Sequence, residues 1–392
     1  MTDARSAELD RLGQAGAAAL RRRDPRAARG LFETVVTERP SDIEAWFGLA
    51  LAARGLDDGA GQLAALDRVL NLDPGHLLAL MMKADHFAKA GDGRAAETFY
   101  RAVVSRAPAL ETLSPDIRGE VRRASDACAR YAGSFEAHLL RAVGEAGFDA
   151  TSSSARFAQS LDLLLGRKRL YLQAPTSFYF PELPQKQFYE RSAFPWVAEL
   201  EARTEVIRQE LLTLVSDEEA FQPYVRGVAN RPPGEFGSLM DSRDWGAFYL
   251  IESGAVVPDA AARCPRTLEA MEAVPLSRAT GRTPSVLFSR LLPGVRIPPH
   301  NGQINARLIC HLPLIVPEGC ALRVGNEVRP WVEGEVLIFD DTIEHEAWNT
   351  SRQPRVVLLF EVWRPELSAE EQALVAATLA AVGSYTTAKS PG

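Results

Sequence analysis

Three histidines in the last third of the chain are the residues best suited to chemistry. His300, His311 and His345 each lie within, or at the end of, a stretch that reads as a β-strand. Imidazole is a common transition-metal ligand, and the ligands of a small barrel lie at its mouth, where strands end. His300 and His345 both fall at strand ends. These two residues are therefore candidates for a metal-binding pair.

The remaining histidines and the cysteines carry no such signal. The histidines of the helical region have no carboxylate or cysteine at ligand spacing, and we expect them to be packing or surface residues; they are His76, His86 and His138. The cysteines lack CxxC spacing, which argues against a zinc site or a disulfide framework; they are Cys128, Cys264, Cys310 and Cys320.

Arginines accompany the histidines on the predicted strands. Side chains alternate between the two faces of a strand, so Arg307 shares a face with Ile309 and His311. By the same parity, Arg355 points in the same direction as Val357 and Leu359. A cation on an apolar face is costly to bury unless an anion meets it. The sequence therefore predicts an interior that binds an acid.

The elements around these residues are short strands separated by turns. Apolar or alternating runs bounded by Gly and Pro predict strands at 285–292, 306–314, 336–339 and 355–363, with a hairpin-like turn at 324–327. Many short strands of this kind are typical of a jelly roll or barrel. An amphipathic helix is predicted over 196–214, after a segment at 166–200 that is rich in aromatic residues and proline.

The first third of the chain is a repeat. Pro40, Pro74 and Pro108 are 34 residues apart, which is the tetratricopeptide period. The positions that agree between copies are Leu12, Trp46 and Leu80; Gly16, Ala50 and Ala84; Ala28, Gln62 and Ala96; Phe32, Leu66 and Tyr100; Val35, Val69 and Val103. Gln62 is the one polar residue in a register of small residues. The pattern resembles three tetratricopeptide repeats over residues 5–110, followed by further helices to residue 165.

These observations predict an α+β multidomain protein. We expect a tetratricopeptide-like helical solenoid at 5–165, a jelly-roll domain at 166–367 and a packing helix at 368–383. The spacing of Ser368 and Glu371 predicts a capping box at the start of that last helix. A solenoid presents a concave surface, so its default role is to hold a peptide or a protein.

Composition limits the possible partners and locations. The net charge is −7 and 46% of the residues are hydrophobic, which describes a folded globular protein without a general electrostatic basis for binding nucleic acid. Charged residues near the N-terminus replace the apolar core of a signal peptide, and no uncharged stretch is long enough to span a membrane. We expect a soluble, cytoplasmic protein.

Several motifs carry a family resemblance. They are PHNG at 299–302, RLICHL at 307–312, RVG at 323–325, WVEGE at 331–335, FDDTIEHEAWN at 339–349 and VWRP at 362–365, with YFP at 179–181 and FPW at 194–196 upstream. Together they resemble the aspartyl/asparaginyl β-hydroxylase family over about residues 170–367. The resemblance implies a double-stranded β-helix of the cupin type that uses Fe(II), 2-oxoglutarate and O2.

The resemblance also implies how a metal is bound. His300 and His345 match the iron ligands. Most related oxygenases add a carboxylate two residues after the first histidine, and this chain has Gly302 there. Members of the family are similar in lacking that carboxylate and in using water instead. Asp341 matches the residue that would hold this water.

Four further residues match positions that bind the cosubstrate. Arg355 matches the arginine that pairs with the distal carboxylate of 2-oxoglutarate, and Ser289 matches the hydroxyl that assists it. His311 matches a residue near the other carboxylate. Arg307, on the same strand face, is a candidate to bind a substrate or cosubstrate carboxylate. Some members carry an arginine where this chain has Ile309, so the acidic-substrate pocket does not carry over directly.

Three functions are consistent with the sequence. The first is a hydroxylase acting on a peptide or protein, at the β-carbon of an Asp or Asn residue, with the repeats holding the substrate and with release of succinate and CO2. The second is a lipid hydroxylase of the same family, although no amphipathic basic helix supports it. The third is a repeat scaffold whose barrel is inactive, which the intact set of matched residues disfavours.

Overall fold

The computed structural model describes residues 3–108, 110–215, 217, 219–227 and 236–387. By its internal contacts the chain divides into two units, Met1–Leu161 and Asp162–Gly392. The helices up to this boundary and across it are α1 (Asp3–Arg21), α2 (Pro25–Glu38), α3 (Ile43–Gly55), α4 (Gly59–Leu72), α5 (Leu77–Lys89), α6 (Gly93–Arg106), α7 (Pro115–Glu145) and α8 (Ala155–Leu164).

The first six helices form three hairpins, α1–α2, α3–α4 and α5–α6. The second helix of each hairpin begins in the same way. Asp24, Asp58 and Asp92, which are 34 residues apart, each accept a hydrogen bond from the backbone N–H three residues later. An aspartate at this position satisfies an otherwise unpaired donor of the first helical turn. The repeat therefore fixes the helix starts as well as the core.

The residues that keep register between hairpins form the core of this unit. Val35, Val69 and Val103 are at most 1% exposed. Gly48 lies against the ring of Phe32 so closely that a Cβ atom would overlap it, so this helix crossing requires glycine. Gln62 is buried, and its amide oxygen lies 3.4 Å from His86 Nδ1. A polar residue is thus accommodated in the small-residue register by a polar partner.

Strands dominate the second unit. They are β1 (Phe188–Tyr189), β2 (Gln222–Pro223), β3 (Trp245–Glu252), β4 (Ala255–Val256), β5 (Val286–Leu291), β6 (Arg296–His300), β7 (Arg307–Ile315), β8 (Cys320–Val324), β9 (Glu327–Pro330), β10 (Leu337–Phe339), β11 (His345–Asn349) and β12 (Arg355–Trp363). The helices of this unit that follow α8 are α9 (Val197–Glu201), α10 (Thr204–Val215), α11 (Pro258–Arg263), α12 (Pro265–Met271) and α13 (Ala369–Thr387).

The strands form two antiparallel sheets. In the described part of the chain the larger sheet has the order β1-β10-β7-β12-β5-β3-β2, with β4 paired to β3. The smaller sheet has the order β6-β11-β8-β9. This arrangement confirms the predicted fold class, a helical repeat unit followed by a jelly-roll domain.

The larger sheet is buried on both faces. Leu308, Cys310 and Leu312 of β7 pack with helices α9, α10 and α12 on one face. On the other face, Ile309 packs with Leu322 and Ala347 of the smaller sheet. Because both faces are covered, β7 and β12 have nearly continuous apolar sequences rather than alternating ones. The space between the sheets is the second core, and it contains the candidate site.

Two helices differ from the sequence-based prediction. The helix predicted at 196–214 is divided into α9 and α10, where the Thr204 hydroxyl donates to the carbonyl of Glu201. The last helix begins at the predicted capping box, in which Ser368 and Glu371 exchange hydrogen bonds. It continues beyond Gly383 to Thr387, because Gly383 does not adopt the left-handed conformation by which a glycine ends a helix.

No helix within the described residues combines the length and the apolar composition needed to cross a lipid bilayer.

Candidate functional site

A cavity of about 570 Å³ lies between the two sheets of the second unit. All seven residues that the sequence singled out line it, although they come from β5, β6, β7, β11, β12 and the turn before β11. They are Ser289, His300, Arg307, His311, Asp341, His345 and Arg355. Their roles remain predictions, but the fold brings the whole set to one place.

The two candidate metal ligands are direct neighbours. His300 ends β6, His345 begins β11, and the two residues are paired in the antiparallel register. The centroids of their rings are 4.0 Å apart. Strand pairing therefore holds the two imidazoles side by side before any metal is bound, which limits the conformational entropy lost on binding.

Each of these rings is oriented by a backbone carbonyl two residues earlier. His300 Nδ1 donates to the carbonyl oxygen of Pro298 at 2.8 Å, and His345 Nδ1 donates to that of Ile343 at 3.2 Å. A carbonyl only accepts, so Nδ1 carries a proton in both rings, and Nε2 is the nitrogen that each ring can offer to a metal when it is neutral. Burial, and then the neighbouring His300, hold the pKa of His345 well below its usual range. His345 is thus neutral at neutral pH, as a metal ligand must be.

Gly302 and Asp341 share one small space. A Cβ atom on Gly302 would overlap the carboxylate of Asp341, and the Gly302 N–H donates to the Asp341 carbonyl at 2.7 Å. Oδ2 of Asp341 accepts from Arg307 Nη1 at 3.2 Å, whereas Oδ1 is buried without a hydrogen-bond partner. A buried carboxylate oxygen without a donor is costly. It fits a site in which a water or a metal-bound group completes the hydrogen bonding.

Arg355 is a buried cation that forms no ion pair with any carboxylate among the described residues. Its side chain is 1% exposed, and its Nε and Nη1 atoms have no hydrogen-bond partner. The guanidinium lies 4.7 Å from the centre of the Trp331 ring, so one of its faces is covered by a π-system. Burial lowers the pKa of Arg355 to about 10, which leaves it charged at neutral pH. This arrangement suits a ligand carboxylate, for which guanidinium is the best-matched partner.

Two tryptophans orient the polar groups near Arg355. Trp331 Nε1 donates to His311 Nδ1 at 3.1 Å, which places the proton of His311 on Nε2. Burial, and then the charge of Arg355, hold the pKa of His311 well below its usual range. Trp245 Nε1 donates to Ser289 Oγ at 3.2 Å. His311 is therefore a neutral N–H donor, and the Ser289 hydroxyl keeps its proton for another acceptor.

Arg307 lies between two carboxylates. Its Nη1 is 3.2 Å from Asp341 Oδ2, and its Nε is 3.4 Å from Glu361 Oε1. Burial alone would lower the pKa of Arg307, but the two negative charges raise it. Arg307, the candidate to bind a ligand carboxylate, thus already has two carboxylate partners within the protein, Asp341 and Glu361.

Sequence reasoning missed residues that line this cavity or contact its lining. Neither Trp245 nor Trp331 was predicted to have a role here, yet their indole N–H groups orient Ser289 and His311. Glu361 was not considered, although it has the same strand parity as Arg355 and so faces the cavity. The alternation of side chains along β12 is the signal that could have identified Glu361. No local pattern identified the tryptophans, whose donors meet residues on other strands.

Asp340, the neighbour of Asp341, belongs to the protein framework. Its carboxylate forms a fully buried ion pair with Arg364, and accepts from Gln173 Nε2 at 2.7 Å and from the hydroxyl of Thr342. These contacts fix the turn that carries Asp341. Among the described residues, no group of three or more His, Cys, Asp and Glu side chains is arranged to hold a metal ion.

Comparison with known proteins places this cavity in context. Residues 201–365 match the family model described as aspartyl/asparaginyl beta-hydroxylase. Aspartate beta-hydroxylase domain-containing protein 2 from Homo sapiens is 32% identical over 206 residues, which are 51% of this chain and 53% of that protein. Aspartyl/asparaginyl beta-hydroxylase from Mus musculus is 39% identical over 137 residues, 34% of this chain and 18% of that protein.

A bacterial relative is matched over more of its length. Ornithine lipid ester-linked acyl 2-hydroxylase from Rhizobium tropici is 34% identical over 229 residues, 57% of this chain and 74% of that protein. By contrast, the chain spans about half the length of the human relative.

Proposed function

Because the chain belongs to the aspartyl/asparaginyl β-hydroxylase family, we propose that it is an Fe(II)- and 2-oxoglutarate-dependent dioxygenase. One observation carries the proposal. The His300–His345 pair, the open oxygen of Asp341 and the Arg355 guanidinium, whose Nε and Nη1 have no hydrogen-bond partner, all face one cavity. A metal pair alone or a buried arginine alone would suit many kinds of protein, but this combination suits a metal together with a dicarboxylate.

The residues present fit Fe(II). The Nε2 atoms of His300 and His345 would hold the ion, and Asp341 would accept a hydrogen bond from a water bound to it. When bound, iron supplies the reduction of O2, which side chains alone cannot perform. Two histidine ligands would leave room beside the ion for 2-oxoglutarate and O2.

The overall reaction balances without any other reductant. One oxygen atom of O2 enters a C–H bond and gives an alcohol, and the other enters 2-oxoglutarate, which becomes succinate as it loses CO2. Substrate and 2-oxoglutarate are each oxidised by two electrons, and O2 accepts all four.

The chain's own residues bind and orient the cosubstrate. Arg355 pairs with the distal carboxylate of 2-oxoglutarate, and the Ser289 hydroxyl donates to the same group. His311, neutral and with its proton on Nε2, donates to the carboxylate at the other end. Ser289, His311 and Arg355 are all buried, and the low dielectric of a buried site strengthens each of these hydrogen bonds.

We infer that the C–H bond belongs to a group held by a larger molecule. The first candidate is the β-carbon of an Asp or Asn residue in a peptide or protein, with the repeats holding the remainder. A cavity of about 420 Å³ between α1 and α3 supports this role, since Leu20, Phe47 and Leu51 line it without being fully buried. The second candidate is a lipid acyl chain, which is favoured by the apolar Ile309 in the cavity wall.

Replacement of the histidines tests the proposal. His300→Ala and His345→Ala should each abolish Fe(II)-dependent conversion of 2-oxoglutarate to succinate, and should weaken the binding of Mn(II), an inert substitute, in an anaerobic titration. His138→Ala, on the exposed side of α7, is the matched control and should retain both properties. Full succinate production by either site variant would contradict the assignment.

A further inference from the structure

Three arginines line the cavity among the residues that the structure describes, and each has a different surrounding. Arg355 has no carboxylate partner and is assigned to the cosubstrate. Arg226 is exposed at the mouth and lies 3.5 Å from Glu252 Oε1. Arg307 is the only one of the three that is buried together with carboxylates. The charge available to a substrate inside the cavity therefore depends on Arg307.

Arg307 is already neutralised by the protein. Asp341 and Glu361 are 6% and 7% exposed, and they approach different nitrogen atoms of the same guanidinium. Burial raises the pKa of Glu361, while the charge of Arg307 opposes that rise. The group of three has one cation and two acids. A further carboxylate beside it would add negative charge to a site that has no positive charge to spare.

The neighbouring wall position is apolar. Ile309 lies between Arg307 and His311 on the cavity face of β7, and it is paired across the sheet with Glu361 of β12. An arginine at this point would face the cavity and supply the missing cation. The isoleucine instead adds to an apolar wall that also includes Leu322 and Leu359.

Loading the site does not change this balance. Fe(II) and 2-oxoglutarate carry charges of equal size and opposite sign, so together they add no net charge. Arg355 faces the cosubstrate. A substrate carboxylate would thus enter a buried space without a counter-ion, which is unfavourable because burial of a charge is costly unless an opposite charge pairs with it.

We propose that the reacting group is a methylene beside an uncharged carbonyl, an amide or an ester, and not a methylene beside a carboxylate. This inference rests on the proposed function and narrows it. Two sources share the chemistry. One is an asparaginyl side chain, and the other is an acyl chain in ester or amide linkage. In either case the methylene becomes a secondary alcohol by the reaction balanced above.

Matched pairs of probes test the inference on the full chain loaded with Fe(II) and 2-oxoglutarate. The first pair consists of two peptide pools that are identical except for Asn or Asp at the central position. The second pair is a fatty acyl amide and the corresponding fatty acid. Mass spectrometry measures the gain of one oxygen, and succinate release is recorded in the same samples.

We expect the uncharged member of at least one pair to be hydroxylated with a kcat/KM at least about tenfold above that of its acid. The pair that responds identifies the source. An acid turned over as well as its uncharged counterpart would overturn the inference, and so would failure of both uncharged probes. Iron-dependent succinate release without added substrate would show that the proposed function survives such a failure. Its absence would show that the proposed function itself is wrong.

Two variants give the inference a positive control. Ile309→Arg adds a cation to the cavity wall, and Glu361→Gln removes one of the carboxylates beside Arg307. Each variant should therefore lower the ratio of kcat/KM for the uncharged probe to kcat/KM for the acidic probe. Glu210→Gln is the matched control, since Glu210 accepts hydrogen bonds from Thr267 on α12, away from the cavity. It should leave the ratio unchanged. A ratio that does not move in either cavity variant would contradict the charge argument.

Discussion

The carboxylate of Asp341 occupies the space into which a side chain at Gly302 would project. The two residues are far apart in sequence, but the Gly302 N–H also donates to the Asp341 carbonyl. A carboxylate two residues after His300 is therefore excluded sterically by a carboxylate from the turn before His345. The chain keeps an acid near the candidate metal position, but supplies it from a different element.

Gly302→Ala should consequently disturb the candidate metal site. The added methyl group must displace Asp341, and we expect Mn(II) affinity to fall by about tenfold or more, because residues that support ligands typically contribute that much. An anaerobic Mn(II) titration measures the change. Gly119→Ala on α7, where a Cβ atom meets nothing within 4 Å, is the control and should bind Mn(II) normally. Normal affinity in Gly302→Ala would mean that Asp341 does not support the metal.

Arg355→Ala should raise the KM for 2-oxoglutarate steeply. The variant loses a charge-assisted pair in a buried site, worth about 1.5–3 kcal/mol, or roughly ten- to over a hundredfold in affinity. Steady-state succinate release at varied 2-oxoglutarate concentrations measures it. Arg329→Ala, a surface arginine paired with Glu327, should not change the KM. If the KM is also unchanged in Arg355→Ala, the cosubstrate carboxylate must bind another cation, and Arg307 would be tested first.

Leu51→Asp tests whether the repeats hold the substrate. A charge in the cavity between α1 and α3 should reduce hydroxylation of a peptide or protein target at limiting concentration, because binding remote from the reacting atom places that atom correctly. Succinate release without substrate should not change. Val104→Asp, at a 40% exposed position on α6 that does not line this cavity, is the control. Equal loss in both variants would indicate damage to the repeat unit rather than loss of a binding surface.

A prediction about pH concerns the contact between the third hairpin and α7. Asp85 accepts from Arg123 at 2.7 and 2.8 Å and from the Tyr100 hydroxyl at 2.7 Å. Burial opposes ionisation, but these donors hold the pKa of Asp85 below its ordinary value. The stabilisation is therefore complete above pH of about 4, the ordinary range of an aspartate, and is lost as pH falls through the lower pKa of the folded state.

Asp85→Asn should accordingly lower the free energy of unfolding by about 1 kcal/mol at neutral pH, a modest value because the side chains are partly exposed. The difference from wild type should shrink in acid. Urea unfolding followed by circular dichroism, at neutral pH and again in acid, measures the free energy of unfolding of both proteins. Asp67→Asn, which removes a more exposed partner of Lys83, should cost less. A difference that grows in acid would contradict the assigned sign.

The sequence predicted the parts of this fold that local patterns determine. The strand expected at 355–363 is β12, because a long apolar run ends at a proline after Trp363. The repeat period predicted the buried valines of the hairpins, since each copy needs the same side chain at the same crossing. The break at Thr204 was not predicted, because one hydroxyl bonded to a carbonyl interrupts an otherwise regular pattern.

The candidate site was predictable only in part, for a related reason. Motifs identified residues one at a time, and strand parity assigned them to a face. That Arg307 would meet Glu361 and Asp341 depends on the register between β7 and β12 and on the turn before β11. Register is a property of paired strands, so a cation that looked available in the sequence is in fact shared by two acids.

The aspartates that begin α2, α4 and α6 have a consequence for how this protein can change. Each 34-residue segment from one such aspartate to the next contains its own helix start and its own small and large packing positions. Duplicating residues 24–57 would therefore insert one complete two-helix repeat, a copy of α2 and α3, whose surfaces match those of its neighbours. The surface of the repeat unit can grow or shrink in whole steps by recombination at these positions, without any substitution in the jelly-roll unit that carries His300 and His345.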